Sequence, residues 1–258
     1  MTRTRAALIH LAVSALIVGS VLTVVFLAWY PGYLFELSGA IDPVLVMVGV
    51  DVTLGPILTF IVFKAGKPGL KFDLAVIFSV QIAALLYGSI TLYQERPHFL
   101  VFAVDSFTAI PARAVDMDAL RYDELRSKPT IGPVKVYARM PDDPERRREI
   151  VEGVLFEGEP DLERRAECYE PYEYGAAEIR AHAIDIHDFS PASQREADEI
   201  AATIERFESA HEALGLVPTR SFSDDYALVM DLATLEPLTA IRVNAWQTTE
   251  AAEVTETP

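Results

Sequence analysis

Three long apolar segments dominate the first 96 residues of the chain. Residues 7–29, 43–63 and 74–93 are each 20 to 23 residues long, and Asp51 is the one charged side chain within them. An α-helix rises about 1.5 Å per residue, so each segment can cross a hydrocarbon core of about 30 Å. The pattern predicts three transmembrane helices. The aromatic cluster WYPGY after the first segment favours a retained span over a cleaved signal peptide.

The hydrophobic pattern changes after residue 96, where short apolar runs alternate with turn residues. This predicts a separate α+β domain over residues 97–246 with an antiparallel sheet. The last helix is expected to be capped by Ser190 and to end before Gly215. No element is predicted for residues 156–190, and the polar, acidic residues 247–258 are expected to be a disordered tail. The predicted strands are 99–104, 134–138, 217–222, 226–231 and 238–243, the last two as a hairpin, and the predicted helices are 116–126, 144–153 and 191–214.

Charge divides the chain at the same place. Residues 1–96 carry six Lys/Arg and five Asp/Glu, whereas the rest of the chain carries 16 and 33. So acidic a domain disfavours nucleic acid as a partner, because nucleic-acid binding needs basic side chains against phosphate.

The placement of basic residues predicts the orientation in the membrane. Two arginines precede the first span, and Lys64, Lys67 and Lys71 separate the second span from the third. The loop between the first and second spans carries neither Lys nor Arg. The positive-inside rule then places the N-terminus and the three lysines in the cytoplasm and residues 97–246 on the opposite side. In a Gram-negative cell this predicts an inner-membrane protein with a periplasmic domain.

Asp51 lies in the middle of the second span. A carboxylate there costs about 2.5–3.5 kcal/mol on insertion scales, so it is expected to be neutral, paired or turned toward protein. Pro56 has no N–H to offer the carbonyl of Val52, which leaves that carbonyl free beside the acid. Gln81 of the third span lies at a similar depth and is the predicted partner of Asp51.

Small residues accompany Asp51 along the second span. Gly49 and Thr53 are four residues apart and offer a face for close helix approach, and Gly55 lies one turn beyond Asp51. Two interpretations remain open. Either these residues only hold the three helices together, or the segment from Gly49 to Pro56 is a docking surface for the transmembrane helix of another protein.

The three lysines form a basic turn that is predicted to anchor the membrane hairpin. Ammonium groups beside anionic headgroups favour this side of the bilayer and fix the topology. Contact of the lysines with cytoplasmic assembly proteins is the alternative interpretation.

The sequence shows no pattern typical of a catalytic, metal or cofactor site. Residues 182–188 (HAIDIHD) hold two histidines and two aspartates, but their irregular spacing favours a surface or strand segment over zinc. The single cysteine, Cys168, can form no intramolecular disulfide. Intramembrane aspartyl catalysis needs two carboxylates at one depth, and Asp51 has no second one. We therefore expect no enzyme, no cofactor and no metal.

Four stretches resemble a known family, the type IV pilin accessory proteins of the TfpX/TfpZ type. They are WYPGYLFELSGA (29–40), GVDVTLGPILTFIVFKAGKPGLKFDLAVI (49–77), QIAALLYG (81–88) and RPHFLVFAVDSF (96–107). The second stretch is the most specific, since it matches more than a hydropathy pattern. The resemblance singles out the following residues without giving each a role: Gly49, Asp51, Gly55, Pro56, Lys64, Gly66, Lys67, Gly69, Lys71 and Asp73.

The resemblance implies a chaperone-like accessory protein of the inner membrane. Such a protein would contact a type IV major pilin and assist its stability, assembly or surface display. Other implied partners are inner-membrane pilus assembly components and the lipid bilayer itself. A membrane-anchored enzyme or a sensor acting on envelope proteins is the alternative function.

Overall fold

The computed structural model describes residues 1–127, 131–221 and 225–246. These residues form two compact units. The first, which we call the membrane unit, comprises Met1–Pro31 and Ala40–Arg96. The second, the sheet unit, comprises Gly32–Gly39 and the described residues from Pro97 onward.

The three expected membrane spans are confirmed as helices that are long and apolar enough to cross a membrane. Each begins two to four residues before its apolar run in the sequence. Side chains that face outward are apolar, such as Leu16, which is 72% exposed. The first span is α1 (Arg3–Val24) with a π-helical turn (Val25–Trp29); the second is α3 (Ile41–Val48), a π-helical segment (Gly49–Leu54) and α4 (Gly55–Val62); the third is α5 (Leu70–Glu95).

The second span is the centre of the membrane unit. α1 packs against α4, and α5 packs against both α3 and α4. α3 and α5 pack closely at Gly88, where an added Cβ would be in van der Waals contact with Met47, 3.5 Å from its Cβ. A hydrogen bond joins the end of the first span to the end of the third: the Tyr30 hydroxyl donates to the carbonyl of Leu92 at 2.8 Å.

One mixed sheet forms the sheet unit. Its order is β4-β3-β1-β2-β6-β7-β8, and β5 pairs with β6 beside this path. The strands are β1 (Pro97–Ala103), β2 (Ser106–Pro111), β3 (Val134–Ala138), β4 (Tyr169–Pro171), β5 (Ile184–Asp185), β6 (Leu214–Arg220), β7 (Tyr226–Asp231) and β8 (Glu236–Ile241). The helices of this unit are α2 (Leu34–Leu37), α6 (Pro144–Glu152), α7 (Ala176–His182) and α8 (Gln194–Phe207).

The sheet departs from the expected antiparallel arrangement in two of its pairs. β1 pairs with β3 in parallel, and β2 pairs with β6 in parallel. Parallel neighbours need a crossover of a dozen or more residues, and the long connections that follow β2 and β3 supply it. The hairpins β1–β2, β6–β7 and β7–β8 are antiparallel.

β1 is buried on both faces of the sheet, as its continuous apolar sequence predicts. Leu100 and Phe102 belong to one core cluster, whereas Phe99, Val101 and Ala103 belong to the cluster on the other face. Both clusters are covered by helices and turns: α7 contributes Ile179 to the first and α6 contributes Ile150 to the second.

Several predicted elements of this unit need correction. The helix expected over residues 116–126 is two 3₁₀ turns, Met117–Ala119 and Asp123–Arg126. The last helix starts after Ser193 rather than Ser190, because Ser193 Oγ accepts from the N–H of Glu196 while Glu196 Oε2 accepts from the N–H of Ala192.

That helix also ends earlier than predicted. α8 stops at Phe207, and Gly215, expected just past its end, pairs with Met230 inside the sheet. Residues 156–190, for which the sequence predicted nothing, contain β4, α7 and β5. The expected tail of residues 247–258 and the strand end at residue 222 lie outside the described residues.

The loop between the first and second spans is part of the sheet unit. α2 places Leu37, which is 4% exposed, in the core cluster that contains Phe102 and Tyr226. Two spans separate this loop from β1 along the chain. An even number of crossings puts the loop and the sheet on the same side of any membrane that the helices cross, as their packing requires.

Candidate functional site: a polar cluster among the membrane helices

A shift in the helical hydrogen bonds of the second span exposes one backbone carbonyl. In the π-helical segment, the N–H of Gly55 donates to the carbonyl of Val50, five residues earlier. The same register would have residue 56 donate to the carbonyl of Asp51, but residue 56 is a proline and has no N–H. The freed carbonyl is therefore that of Asp51, one residue before the carbonyl of Val52 that the sequence indicated.

Gln81 satisfies this carbonyl from the third span. Its Nε2 donates to the backbone oxygen of Asp51 at 3.1 Å. Because a carbonyl can only accept, the amide nitrogen must face it, and Oε1 of Gln81 then points to His10 Nε2 at 2.8 Å. The interaction predicted between Gln81 and Asp51 thus involves the backbone of Asp51.

A chain of hydrogen bonds crosses all three spans at this level. His10 donates through Nε2 to Gln81, and its Nδ1 lies 2.6 Å from the hydroxyl oxygen of Thr59, within hydrogen-bond distance. Thr59 and Gln81 are both buried. Hydrogen bonds between membrane helices contribute about 0.6–1.7 kcal/mol each, so the chain fastens α1, α4 and α5 together.

Gly55 makes room for this chain. A Cβ at this position would lie 2.0 Å from Nε2 of Gln81 and 2.6 Å from its Cδ. Real Cβ atoms do not come so close to other heavy atoms, so a side chain at residue 55 would displace Gln81 from its bonds to Asp51 and His10. Gly55 is thus required by the position of Gln81.

The carboxyl group of Asp51 is left incompletely bonded. Asp51 is 4% exposed, and within the described residues its Oδ2 has no hydrogen-bond partner. Few buried polar atoms lack a partner in native proteins, and each such atom calls for an explanation. The cost is greatest in a membrane, where no water can supply the missing bond.

Asp51 lines an open cavity of about 480 Å³ within the membrane unit. α1 contributes one wall, including Ile9 and Val13, and α5 contributes the other, including Phe78 and Ile82. We call this cavity the α1–α5 groove. Its lining is mainly apolar, and the polar exceptions are His10, Ser14, Asp51, Thr59, Lys71 and Gln81.

Comparison with known proteins identifies the family. Two fimbrial assembly proteins of Dichelobacter nodosus, from serogroups E1 and I, are each 26% identical over 93% of this chain and are covered over 94% and 93% of their own lengths. A third, from serogroups C1 and C2 of the same organism, is 33% identical over 116 residues, which is 44% of this chain and 85% of that protein. The chain belongs to the fimbrial assembly protein family.

A family model described as fimbrial assembly protein FimB matches residues 1–39. This stretch holds all of α1 and all of α2, so it includes both His10 and Leu37. No solved structure matches the chain.

The predicted site residues of this family member fall on two sides of the second span. Asp51, Gly55 and Pro56 are buried among the helices. Thr53 is exposed, and a Cβ added at Gly49 would meet nothing within 4 Å. The segment from Gly49 to Pro56 therefore presents two faces, and the small-residue face of Gly49 and Thr53 is open.

The lysine turn is exposed and tightly folded. Gly66 and Gly69 have φ values of +77° and +82°, which glycine adopts without strain. Lys67 forms an ion pair with Asp73 at 2.7 Å, which links the turn to the first residues of α5. Lys64 and Lys71 are exposed, and Lys71 lies at one end of the α1–α5 groove.

Two residues of the polar cluster, His10 and Thr59, were not among the site residues predicted from the sequence. The available signal was that His10 is the single ionisable side chain in the long apolar run of residues 6–35. Ionisable residues within spans generally face protein rather than lipid, and that rule favours an interior position for His10.

The histidines and aspartates of residues 182–188 have local partners. His182 Nδ1 lies 2.9 Å from the carbonyl of Glu178, and Asp185 Oδ1 accepts from the N–H of His187 at 2.9 Å. His187 Nε2 in turn lies 3.3 Å from a carboxylate oxygen of Glu208. These contacts fit the surface segment that the sequence favoured.

Proposed function

We propose that this protein is an inner-membrane accessory protein of the TfpX/TfpZ type that assists a type IV pilin by contacting it. The observation that carries the proposal is the 26% identity to two fimbrial assembly proteins along 93% of the chain. That similarity extends over both the membrane unit and the sheet unit. A role in fimbrial assembly is therefore proposed for the whole chain and not for its membrane anchor alone.

The architecture suits a membrane-bound client. Before assembly, a pilin subunit is anchored in the membrane by a long apolar helix, with its globular head outside. A partner with three membrane helices and a folded outer domain can contact both parts. Two weak contacts carried by one molecule raise the effective concentration of each, so neither has to be tight.

The same charge pattern that predicts the orientation supports a periplasmic sheet unit. The lysine turn is exposed, as a cytoplasmic anchor beside anionic headgroups needs to be. With three spans, the acidic sheet unit then lies in the periplasm, where it can meet the pilin head. Partners from the inner-membrane assembly machinery would meet the lysine turn.

We also propose that the protein works without catalysis. Its membrane unit offers one buried carboxyl group at the level of the polar cluster, and two would be needed to share a proton. Asp51→Asn separates the two classes of function. A binding role keeps much of its strength with the isosteric amide, whereas acid–base chemistry at this residue would be abolished.

Deletion of the gene in its native host tests the proposed function. We expect surface fimbriae to fall to a small fraction of the wild-type level, and complementation with the full chain to restore them. Pilin must be measured in parallel in whole cells and in the membrane fraction. Loss of pilin would indicate a role in its stability, and membrane pilin without fimbriae would indicate a role in assembly. Fully displayed fimbriae after deletion would contradict the proposal.

A further inference from the structure

The α1–α5 groove is long enough to lie along several turns of a helix. Its lining runs along α5 from Lys71 to Leu85, about 21 Å at 1.5 Å per residue, which is about four helical turns. Apolar side chains of α1 and α5 form the two walls. A groove of this kind can receive one further membrane helix packed against the second span.

The carboxyl group of Asp51 indicates which kind of side chain a helix bound in the groove would carry. Oδ2 of Asp51 has no hydrogen-bond partner within the described residues, although the residue is 4% exposed and lines the groove. An ionised carboxyl only accepts hydrogen bonds, whereas a protonated one can also donate. The occupant that completes the site therefore carries a polar group, such as a hydroxyl or an amide, that can form a hydrogen bond with the carboxyl group at the depth of Asp51.

We propose that the α1–α5 groove binds the transmembrane helix of the pilin and that a polar side chain of this helix forms a hydrogen bond with the carboxyl group of Asp51. The identity of the partner rests on the proposed function. The polar bond supplies selectivity, since helix association in lipid gains little from apolar contact alone. A lipid acyl chain could fill the apolar walls, but it has no donor for the acid.

The sequence left two interpretations of the segment from Gly49 to Pro56 open, packing of the three helices or docking of another protein's helix. The buried side of this segment, with Gly55 and Pro56, packs against Gln81 and the other spans. Asp51 lines the groove from the second span, and its backbone carbonyl is already bonded to Gln81, so a side-chain rotation of Asp51 would bring its carboxyl group to an occupant of the groove.

Site-specific photo-crosslinking in native cells tests the groove. The chain offers two matched pairs of positions: Val13 and Phe78 line the groove, whereas Leu16 and Val80 lie two or three residues away on the same helices and do not. All four side chains are at least 48% exposed in the membrane unit. A benzophenone amino acid is placed at each position in turn, and adducts are detected with antibodies against the pilin and against this chain.

We expect pilin adducts at Val13 and Phe78 and background levels at Leu16 and Val80. Asp51→Leu should lower the adduct yield at Phe78 about three- to tenfold, the range expected for loss of one interhelical hydrogen bond. Asp51→Asn keeps an acceptor oxygen and should retain at least half of the yield. Melting of each variant in detergent shows whether a loss comes from unfolding, and the Asn variant keeps the test valid if the Leu variant unfolds.

Three results would overturn the inference. They are equal pilin labelling at the groove and control positions, adducts that contain only a second copy of this chain, and an adduct yield unchanged by a folded Asp51→Leu variant. If deletion still abolishes fimbriae in that case, the proposed function stands and only the groove docking is wrong.

Discussion

Gly55 and Gln81 are in direct contact across the second and third spans, so close that a Cβ on Gly55 would lie 2.0 Å from Nε2 of Gln81. The position of the Gln81 side chain therefore requires a glycine at residue 55. The amide reaches the carbonyl of Asp51 only because residue 55 has no side chain. The π-helical segment and Pro56 create the unsatisfied carbonyl that the amide bonds.

Gly55→Ala should destabilise the membrane unit. The new methyl group displaces the flexible end of Gln81 and breaks its bonds to Asp51 and His10, at a cost of about 1–2 kcal/mol. Thermal unfolding in detergent should show a lower melting temperature. Gly49→Ala is the matched control, because a Cβ there meets nothing within 4 Å and alanine favours helix. Equal effects of the two substitutions would contradict the packing.

His10 and Gln81 should be energetically coupled. Each of His10→Phe and Gln81→Leu removes their 2.8 Å hydrogen bond, so the double variant should lose less stability than the sum of the single variants. We expect a coupling energy of about 0.6–1.7 kcal/mol from unfolding in detergent. Ser20→Ala combined with Gln81→Leu is the control pair. The Ser20 hydroxyl donates to the carbonyl of Leu16 within its own helix, so this pair should show no coupling energy. Strict additivity of His10→Phe and Gln81→Leu would show that the bond does not form.

The parts of the fold that could be predicted are those set by a local pattern. Span lengths follow from uninterrupted apolar runs, and β3 and β7 alternate clearly between turn residues, so both were located to the residue. The helix end at Phe207 was missed because Leu214, seven residues later, continues the helical spacing by chance while belonging to β6.

The parts that could not be predicted depend on contacts between distant residues. The parallel pairs of the sheet join strands about 35 and 110 residues apart, such as Val101 with Val136 and Phe107 with Thr219. The polar cluster likewise joins His10, Thr59 and Gln81 from three helices. Asp51 and Gln81 could be paired by depth, but the shift of the freed carbonyl from Val52 to Asp51 follows from the π-helical register.

Asp231 should make the sheet unit less stable in acid. The hydrogen bond from His211 holds the pKa of the Asp231 carboxyl below its usual value of about 3.9. Because the folded carboxyl then binds protons less readily than the unfolded one, its contribution is complete above about pH 4. That contribution is lost as the pH falls through the folded pKa. Urea unfolding of the full chain in detergent should show this slope for the wild type and a flatter one for Asp231→Asn.

The orientation of the chain in the membrane can be determined with reporter fusions. Alkaline phosphatase, which is active only outside the cytoplasm, should be active when fused after residue 246 and inactive when fused after residue 67 in the lysine turn. Green fluorescent protein should give the opposite pattern. A cytoplasmic C-terminus would rule out contact between the sheet unit and a pilin head.

Leu37 should be required for the stability of the sheet unit although it lies in the loop between two membrane spans. Its side chain is 4% exposed within the cluster of Leu100, Phe102 and Tyr226, so Leu37→Ala leaves a cavity and should cost about 2–5 kcal/mol. Glu36→Ala, at the exposed neighbouring position, should have little effect. The same packing predicts that a fragment of residues 97–246 exposes part of this cluster, binds a hydrophobic dye and melts below the full chain. If the fragment melts like the sheet unit of the intact protein, α2 does not contribute to the core.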